Sequence, residues 1–342
     1  MKKPNRILIV RTDRLGDVIL STPVINNLRL VFPKAYIAFI CRPYTRGALE
    51  GNPELDETIV YDKYGKQNSL WASIIFAFYL RKKKFDLVFI LHPTNRTHLI
   101  TFLAGIPERI GWDRKMGILL TKRIKHLKQE GKKHELEYTL DLLREANILI
   151  KNKDTYFPII PEARTRVEQL LKSKGVEEDD KFIVIHPSAS CASKRWPQKN
   201  FQMVIKLLRE KLGFKIIIIT SQEERKFGEE LVGQTGVIDL RGSLNVPELG
   251  VLLKQAALFI SNDSGPVHIA DSFNTPVISI FGRNDHGLSP LRWGPKGKKS
   301  FCFHKDAGCI KCLAHNCVKD FLCLRKITPQ EVADRAITLL TE

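Results

Sequence analysis

Phe259-Ile-Ser-Asn-Asp-Ser-Gly-Pro-Val-His-Ile-Ala270 decides the fold, because an apolar run breaks there into small polar residues and then resumes at helical spacing. Leu258, Phe259 and Ile260 read as the end of a buried strand. Asn262 to Gly265 carry turn chemistry, and Pro266 suits the first position of a helix that starts with Val267 to Ala270. Strand, tight turn and helix in that order put the helix N-terminus at the C-terminal edge of a parallel sheet. About half a positive charge and several unpaired N–H groups collect at such an end, which is a seat for phosphate or diphosphate. Ser264 and Gly265 let hydroxyl and backbone come close to it. The same residues read equally well as a plain helix cap made by Asp263 or Ser264.

Outward from this stretch the strand pattern recurs. Apolar runs at 182–185, 215–220, 237–240, 258–261 and 277–281 alternate with helices or loops, the signature of a doubly wound α/β domain. The first run ends in His186-Pro-Ser-Ala-Ser-Cys-Ala-Ser-Lys-Arg-Trp-Pro197, where Ser188 and Lys194 are suited to phosphate and Trp196 with Pro197 opens a helix. After the second run, Glu224 suits the diol of a ribose, although a lone acid is more often a first-turn helix charge.

The N-terminal half repeats the alternation. Strand-like runs at 6–10, 36–41, 58–61 and 87–91 imply a second parallel sheet. The first leads into Arg11-Thr-Asp-Arg-Leu-Gly-Asp17 and then a helix carried by Val18, Leu20, Val24, Ile25 and Leu28. No G-x-G-x-x-G occurs there, so dinucleotide binding is disfavoured. Asp17 follows a loop glycine at the sheet edge where doubly wound folds bind ligands, and it reads either as a functional carboxylate or as a cap. His92, Thr94, Asn95 and Arg96 share that edge, with ordinary loop roles the commoner reading. Residues 151–161, polar and then proline-punctuated, read as an interdomain linker.

With 342 residues the chain has material for two cores. The excess of 55 Lys+Arg over 37 Asp+Glu, a formal charge of +18, favours anionic partners. Seven cysteines, an odd number, and an N-terminus without a signal-peptide apolar region point to a reducing, cytoplasmic location. The apolar segment 70–80 is too short to span a bilayer. It is followed by Arg81-Lys-Lys-Lys84, and a second basic run occupies 122–133; an apolar face beside cations suits an anionic membrane surface, and a buried helix with solvated charges is the other reading. No RNA-stacking or zinc-finger motif accompanies the charge, so nucleic acid is not expected, and a polyanion-binding protein rests on charge alone.

Taken together, Arg11-Thr-Asp-Arg-Leu-Gly-Asp17, His186-Pro with Lys194-Arg-Trp-Pro197, and Asn262-Asp-Ser-Gly-Pro-Val-His268 followed by Phe281-Gly282 resemble the lipopolysaccharide core heptosyltransferases, glycosyltransferase family nine. The similarity runs in order over nearly the whole chain. It implies a GT-B fold, two Rossmann-like doubly wound domains facing across a cleft: an acceptor-binding domain at 1–158, a nucleotide-sugar domain at 159–327, and a C-terminal helix at 328–342 packing back toward the first domain. It also implies inverting transfer of heptose from ADP-heptose to an anionic lipid A–core acceptor, at the inner face of the inner membrane. A related enzyme using another nucleotide sugar or a protein acceptor is the nearest alternative. Carried over by position, Asp17 is the general base, and Lys194, Asp263, Ser264, Gly265 and His268 serve the donor, with Glu224 as a ribose contact. From their loop positions alone, Ser188 joins the donor side and Asn95 and Arg96 the acceptor side. The scheme requires no catalytic metal. Apart from it, Cys309, Cys312, Cys317 and Cys323 have spacing compatible with a structural zinc or iron site, with reduced thiols in a packed loop as the competing reading.

Overall fold

A computed structural model of the chain describes residues 3–234 and 236–341. Met1 and Lys2 of the N-terminal segment, Thr235, and Glu342 at the end of the expected C-terminal helix lie outside the described residues. The chain divides into two compact units, Met1–Pro158 and Ile159–Glu342.

The first unit holds a parallel sheet of β1 (Arg6–Val10), β2 (Tyr36–Cys41), β3 (Glu57–Val60), β4 (Leu87–Ile90), β5 (Glu108–Asp113) and β6 (Lys122–Lys125), in the order β3-β2-β1-β4-β5-β6. The second holds β7 (Phe182–His186), β8 (Lys215–Ile218), β9 (Val237–Asp239), β10 (Leu258–Asn262), β11 (Val277–Phe281) and β12 (Ser300–His304), also parallel, in the order β12-β11-β10-β7-β8-β9. Renumbered within each unit, both orders are 3-2-1-4-5-6, the Rossmann arrangement. The α/β class with two Rossmann-like doubly wound domains is therefore present, and the reason is visible in the central strands. Ile7, Leu8 and Ile9 in one sheet and Ile183, Val184 and Ile185 in the other are completely buried, as strands covered by helices on both faces must be.

Three strands were not expected from the sequence. β5, β6 and β12 lie at or next to sheet edges, where one side needs no apolar cover, so Lys122-Arg-Ile-Lys125 forms a strand although it reads as a basic run. Much of that run is also neutralised: Lys128 is buried against Glu135 at 2.6 Å, Lys132 pairs with Glu130 at 2.8 Å and Lys133 with Asp141 at 2.8 Å. Pro266 occupies the second helical position, because the helix begins at Gly265. The helix Pro329–Thr341 buries Val332, Ala333, Ala336 and Leu339 in the core of the second unit.

In such sheets the order reverses between the first and fourth strands, and the crevice outside their C-terminal ends is where ligands bind. In the first unit Asp17 and His92 follow β1 and β4. In the second the Lys194 loop and the Asn262–Gly265 turn follow β7 and β10. Topology therefore collects most of the candidate residues at the two reversal points.

Candidate active site

In the second unit, one side chain joins the two segments at the reversal point. Asn262, fully buried at the end of β10, accepts the Trp196 backbone N–H through Oδ1 at 2.9 Å. Its Nδ2 donates to the carbonyls of Pro187 at 2.8 Å and Ser188 at 3.3 Å. Lys194 Nζ then meets the Asp263 carboxylate at 2.6 Å, so the cation is held beside the turn. Trp196, 1% exposed, anchors the loop by packing edge-on against Phe201 and donating its indole N–H to the Ile327 carbonyl at 3.1 Å.

Ser264 stands at the N-cap of the helix Gly265–Ser272 yet makes no side-chain cap. Its hydroxyl lies 2.9 Å from Ser261 Oγ and 3.3 Å from His186 Nδ1 instead. Of the two readings the sequence left open at this turn, the simple Ser264 cap is thus absent. Burial pushes the His186 imidazole down to about 4, so the ring is neutral at physiological pH. Glu224 Oε2 lies 4.0 Å from His186 Nε2, too far for a hydrogen bond and facing a neutral ring. Glu224, Lys194, Asp263 and Ser264 thus share one sheet edge. His268 is buried on the same helix, and Ser188 is buried with its hydroxyl unpartnered among the described residues.

Sequence reasoning missed one contributor here, Arg283, and gave its neighbour Gly282 no structural role. Arg283 donates through Nε to Ser193 Oγ at 2.9 Å and through Nη2 to Cys191 Sγ at 2.8 Å, bracing the Lys194 loop from just beyond the end of β11. The adjacent Gly282 lets the chains approach: a Cβ there would lie 2.5 Å from the Ser193 carbonyl oxygen. The Phe281-Gly282 dipeptide was the available signal.

In the first unit Asp17 sits in the short helix Leu15–Ile19, at the centre of a buried charge network. The Arg11 guanidinium, 2% exposed, bonds Asp17, Glu135 at 3.0 Å and Thr139 at 3.2 Å, and its Nε meets Asp13 at 3.0 Å. Burial, reinforced by the negative charge of Asp13 and opposed by Arg11, pushes the Asp17 carboxyl up to about 6. A carboxylate of that basicity is suited to accept a proton near neutral pH. His92 is held neutral, at about 4, by burial and then by Arg11 and Lys63. Glu135 and Lys128 lie more than a hundred residues from Asp17 in sequence, and no local signal marks them. Asn95 is exposed at the start of the helix Asn95–Leu103. Arg96 donates to the carbonyls of Lys63 at 3.2 Å, Gln67 at 3.3 Å and Asn68, so its guanidinium holds the loop that leads into the helix Leu70–Lys82.

A family model described as glycosyltransferase family 9 (heptosyltransferase) matches residues 76–322. The chain belongs to glycosyltransferase family 9. It is 30% identical to lipopolysaccharide heptosyltransferase 3 of Escherichia coli over 289 residues, which cover 82% of this chain and 83% of that protein. Among solved structures, the glycosyl transferase family 9 protein of Veillonella parvula superposes with a TM-score of 0.86 at 24% identity, covering 98% of this chain and 97% of the other. E. coli ADP-heptose lps heptosyltransferase II superposes at 0.80 and 22% identity, covering 98% of each chain. This family 9 glycosyltransferase therefore has the GT-B class of fold. No described helix is long and apolar enough to cross a membrane.

Among the described residues no group of three His, Cys, Asp or Glu side chains is placed to hold a metal ion. Of the two readings of Cys309, Cys312, Cys317 and Cys323, free thiols in a packed loop describe this structure. Cys323 is 9% exposed in the core of the second unit, with Cys309 packed against that core, while Cys317 Sγ accepts the Phe321 N–H at 3.4 Å. Cys323 and Cys309 serve there as small apolar groups.

Proposed function

We propose that this glycosyltransferase transfers heptose from ADP-heptose to the inner core of lipopolysaccharide with inversion, working at the inner face of the inner membrane. The observation that carries the donor side is the uncapped N-terminus of the helix Gly265–Ser272 with Lys194 held against Asp263 beside it. A helix N-terminus that no Ser264 side-chain cap occupies and a cation at one sheet edge suit a diphosphate, and the names of the similar proteins supply the sugar and the acceptor class.

In the reaction an acceptor hydroxyl oxygen attacks the anomeric carbon as the bond from that carbon to the diphosphate oxygen breaks. Asp17 takes the hydroxyl proton. Negative charge grows on the departing ADP and is met by Lys194 and the helix N-terminus, an electrostatic contribution greatest in the transition state. The sugar passes through an oxocarbenium-like state, as in glycoside hydrolysis. Glu224 is positioned beside the same edge to accept from the ribose hydroxyls, and exposed Asn95 remains the acceptor-side candidate in preference to the engaged Arg96. The scheme asks for no cofactor.

The test is transfer assayed with purified ADP-heptose against a panel of truncated lipid A–core acceptors, with ADP release measured in parallel. Transfer to one truncation, lost when the accepting hydroxyl is removed, is expected. Turnover with a different nucleotide sugar and none with ADP-heptose would overturn the donor assignment, and modification of protein but no glycolipid would overturn the acceptor assignment.

A further inference from the structure

The helix Leu70–Lys82 is apolar on nearly every side, a composition that belongs to a helix buried all round. It is buried on one side only. Phe76, Ala77 and Leu80 enter the core of the first unit, and Ser73 bonds Tyr61 at 2.8 Å. Opposite, Trp71 is 76% exposed, Ile75 68%, Phe78 52% and Tyr79 43%, with Leu70 at 59% beside them. Positions 71, 75, 78 and 79 follow the i, i+4, i+7, i+8 spacing of one continuous face. A contiguous apolar face of this kind marks a place where something docks.

Charge says what docks. No Asp or Glu occurs anywhere in residues 63–85. At the C-terminal end of the face, Arg81, Lys82 and Lys84 are exposed and make no ion pair among the described residues, while Lys83 is drawn off to Glu57 at 2.7 Å. Trp and Tyr on an apolar face, with long cationic side chains at its border and no acid, are the groups that settle at the boundary between lipid headgroups and acyl chains. With the cations in 122–133 largely paired, this helix is where free positive charge and exposed apolar surface coincide.

We propose that the Trp71–Tyr79 face of this helix is a monotopic membrane-docking surface, lying in the plane of an anionic bilayer with its aromatic side chains among the acyl chains and Arg81, Lys82 and Lys84 among the headgroup phosphates. The surface deepens the proposed function by giving a lipid-linked acceptor a reason to be met at the membrane. It needs no acceptor to be observed, so its success or failure is separate from that of the transfer reaction.

The experiment is sedimentation of the full-length protein with vesicles of phosphatidylethanolamine and phosphatidylglycerol, and with phosphatidylcholine vesicles, none containing acceptor. Binding to the anionic vesicles is expected, weakening as salt rises because such attraction reaches only about 8 Å at physiological ionic strength. R81Q/K82Q/K84Q should lower the anionic-vesicle partition at least tenfold, each cation near such a surface being worth about fivefold, and should remove most of the salt dependence. W71S/F78S should lower partition to both kinds of vesicle at least tenfold, with an unchanged circular dichroism spectrum and unchanged ADP affinity. Wild-type indifference to vesicles, or equal binding by both variants and wild type, overturns the proposal. So does a concentration-dependent dimer that W71S/F78S abolishes while vesicle binding stays intact, because the face would then belong to a second copy of the chain.

Discussion

Asp17 shows how a single carboxyl is tuned by what surrounds it. Burial and Asp13 raise its proton affinity to about 6, and Arg11 keeps it from rising further. Only the ionised form accepts a proton, so kcat/KM should climb with pH through about 6 and level off above it. Asp13→Asn removes one of the charges that disfavour ionisation, so that climb should move to lower pH; a profile unchanged by Asp13→Asn, or one centred elsewhere, takes Asp17 out of the base role. Asp17→Asn should lower kcat by about 10²- to 10⁴-fold while ADP affinity stays within a few-fold of wild type, measured by calorimetry beside steady-state kinetics. Lys194→Ala should act on the other side of the reaction. It removes a cation and leaves the Asp263 carboxylate, 2.6 Å from where the ammonium stood, facing the diphosphate. ADP affinity and kcat should therefore fall together, and K194A/D263A should bind ADP better than K194A; ADP binding insensitive to both would make this pair structural.

At the scale of elements, the donor edge depends on a loop being stitched to a strand end, which hydrogen bonds and one missing Cβ accomplish. Asn262→Ala deletes three hydrogen bonds at a fully buried position and orphans the Trp196 N–H, at a cost of about 1–3 kcal/mol for such a group. Gly282→Ala would drive a methyl against the Ser193 carbonyl and Leu324, which must shift the loop that carries Lys194. Overpacking of this kind costs about 1–3 kcal/mol. Both variants should therefore lower the denaturant midpoint and weaken ADP binding, with Asp17 and its pH profile untouched. A Gly282→Ala protein as stable as wild type with full ADP affinity would show that the close approach of the two segments is dispensable.

For the whole molecule, the assignment of the nucleotide to one unit has a thermodynamic consequence. A ligand that binds only the folded state at one hundred times its Kd adds about 2.7 kcal/mol of stability. ADP should raise the melting temperature of the full chain accordingly. Hydrogen exchange should slow at 186–197 and 262–268 in the second unit and stay unchanged at 11–17 in the first. Protection centred on the Arg11–Asp17 segment would place the nucleotide in the wrong unit and reverse the assignment of donor and acceptor.

What the sequence by itself determined follows from locality and burial. Central strands such as Ile7-Leu8-Ile9 and Ile183-Val184-Ile185 are covered on both faces, so they must be written as unbroken apolar runs and can be read as such. The strand ends that follow them carry small polar residues and glycine because backbone must turn there, which made Asp17, Lys194 and the 262–268 turn legible as candidates. The edge strand Lys122–Lys125 was hidden because a strand with one uncovered side can be polar, and the thiols of 309–323 stayed open between two readings because spacing along a chain does not fix where side chains point. Only the tertiary structure decided the rest. Arg11 meets Glu135 across 124 residues of sequence, Asn262 meets Pro187 across 75, and the helix Leu70–Lys82 buries one apolar face while leaving another in the open. An apolar residue reads the same whether it faces a core or a membrane. The side of the helix that the sheet covers is settled by packing alone.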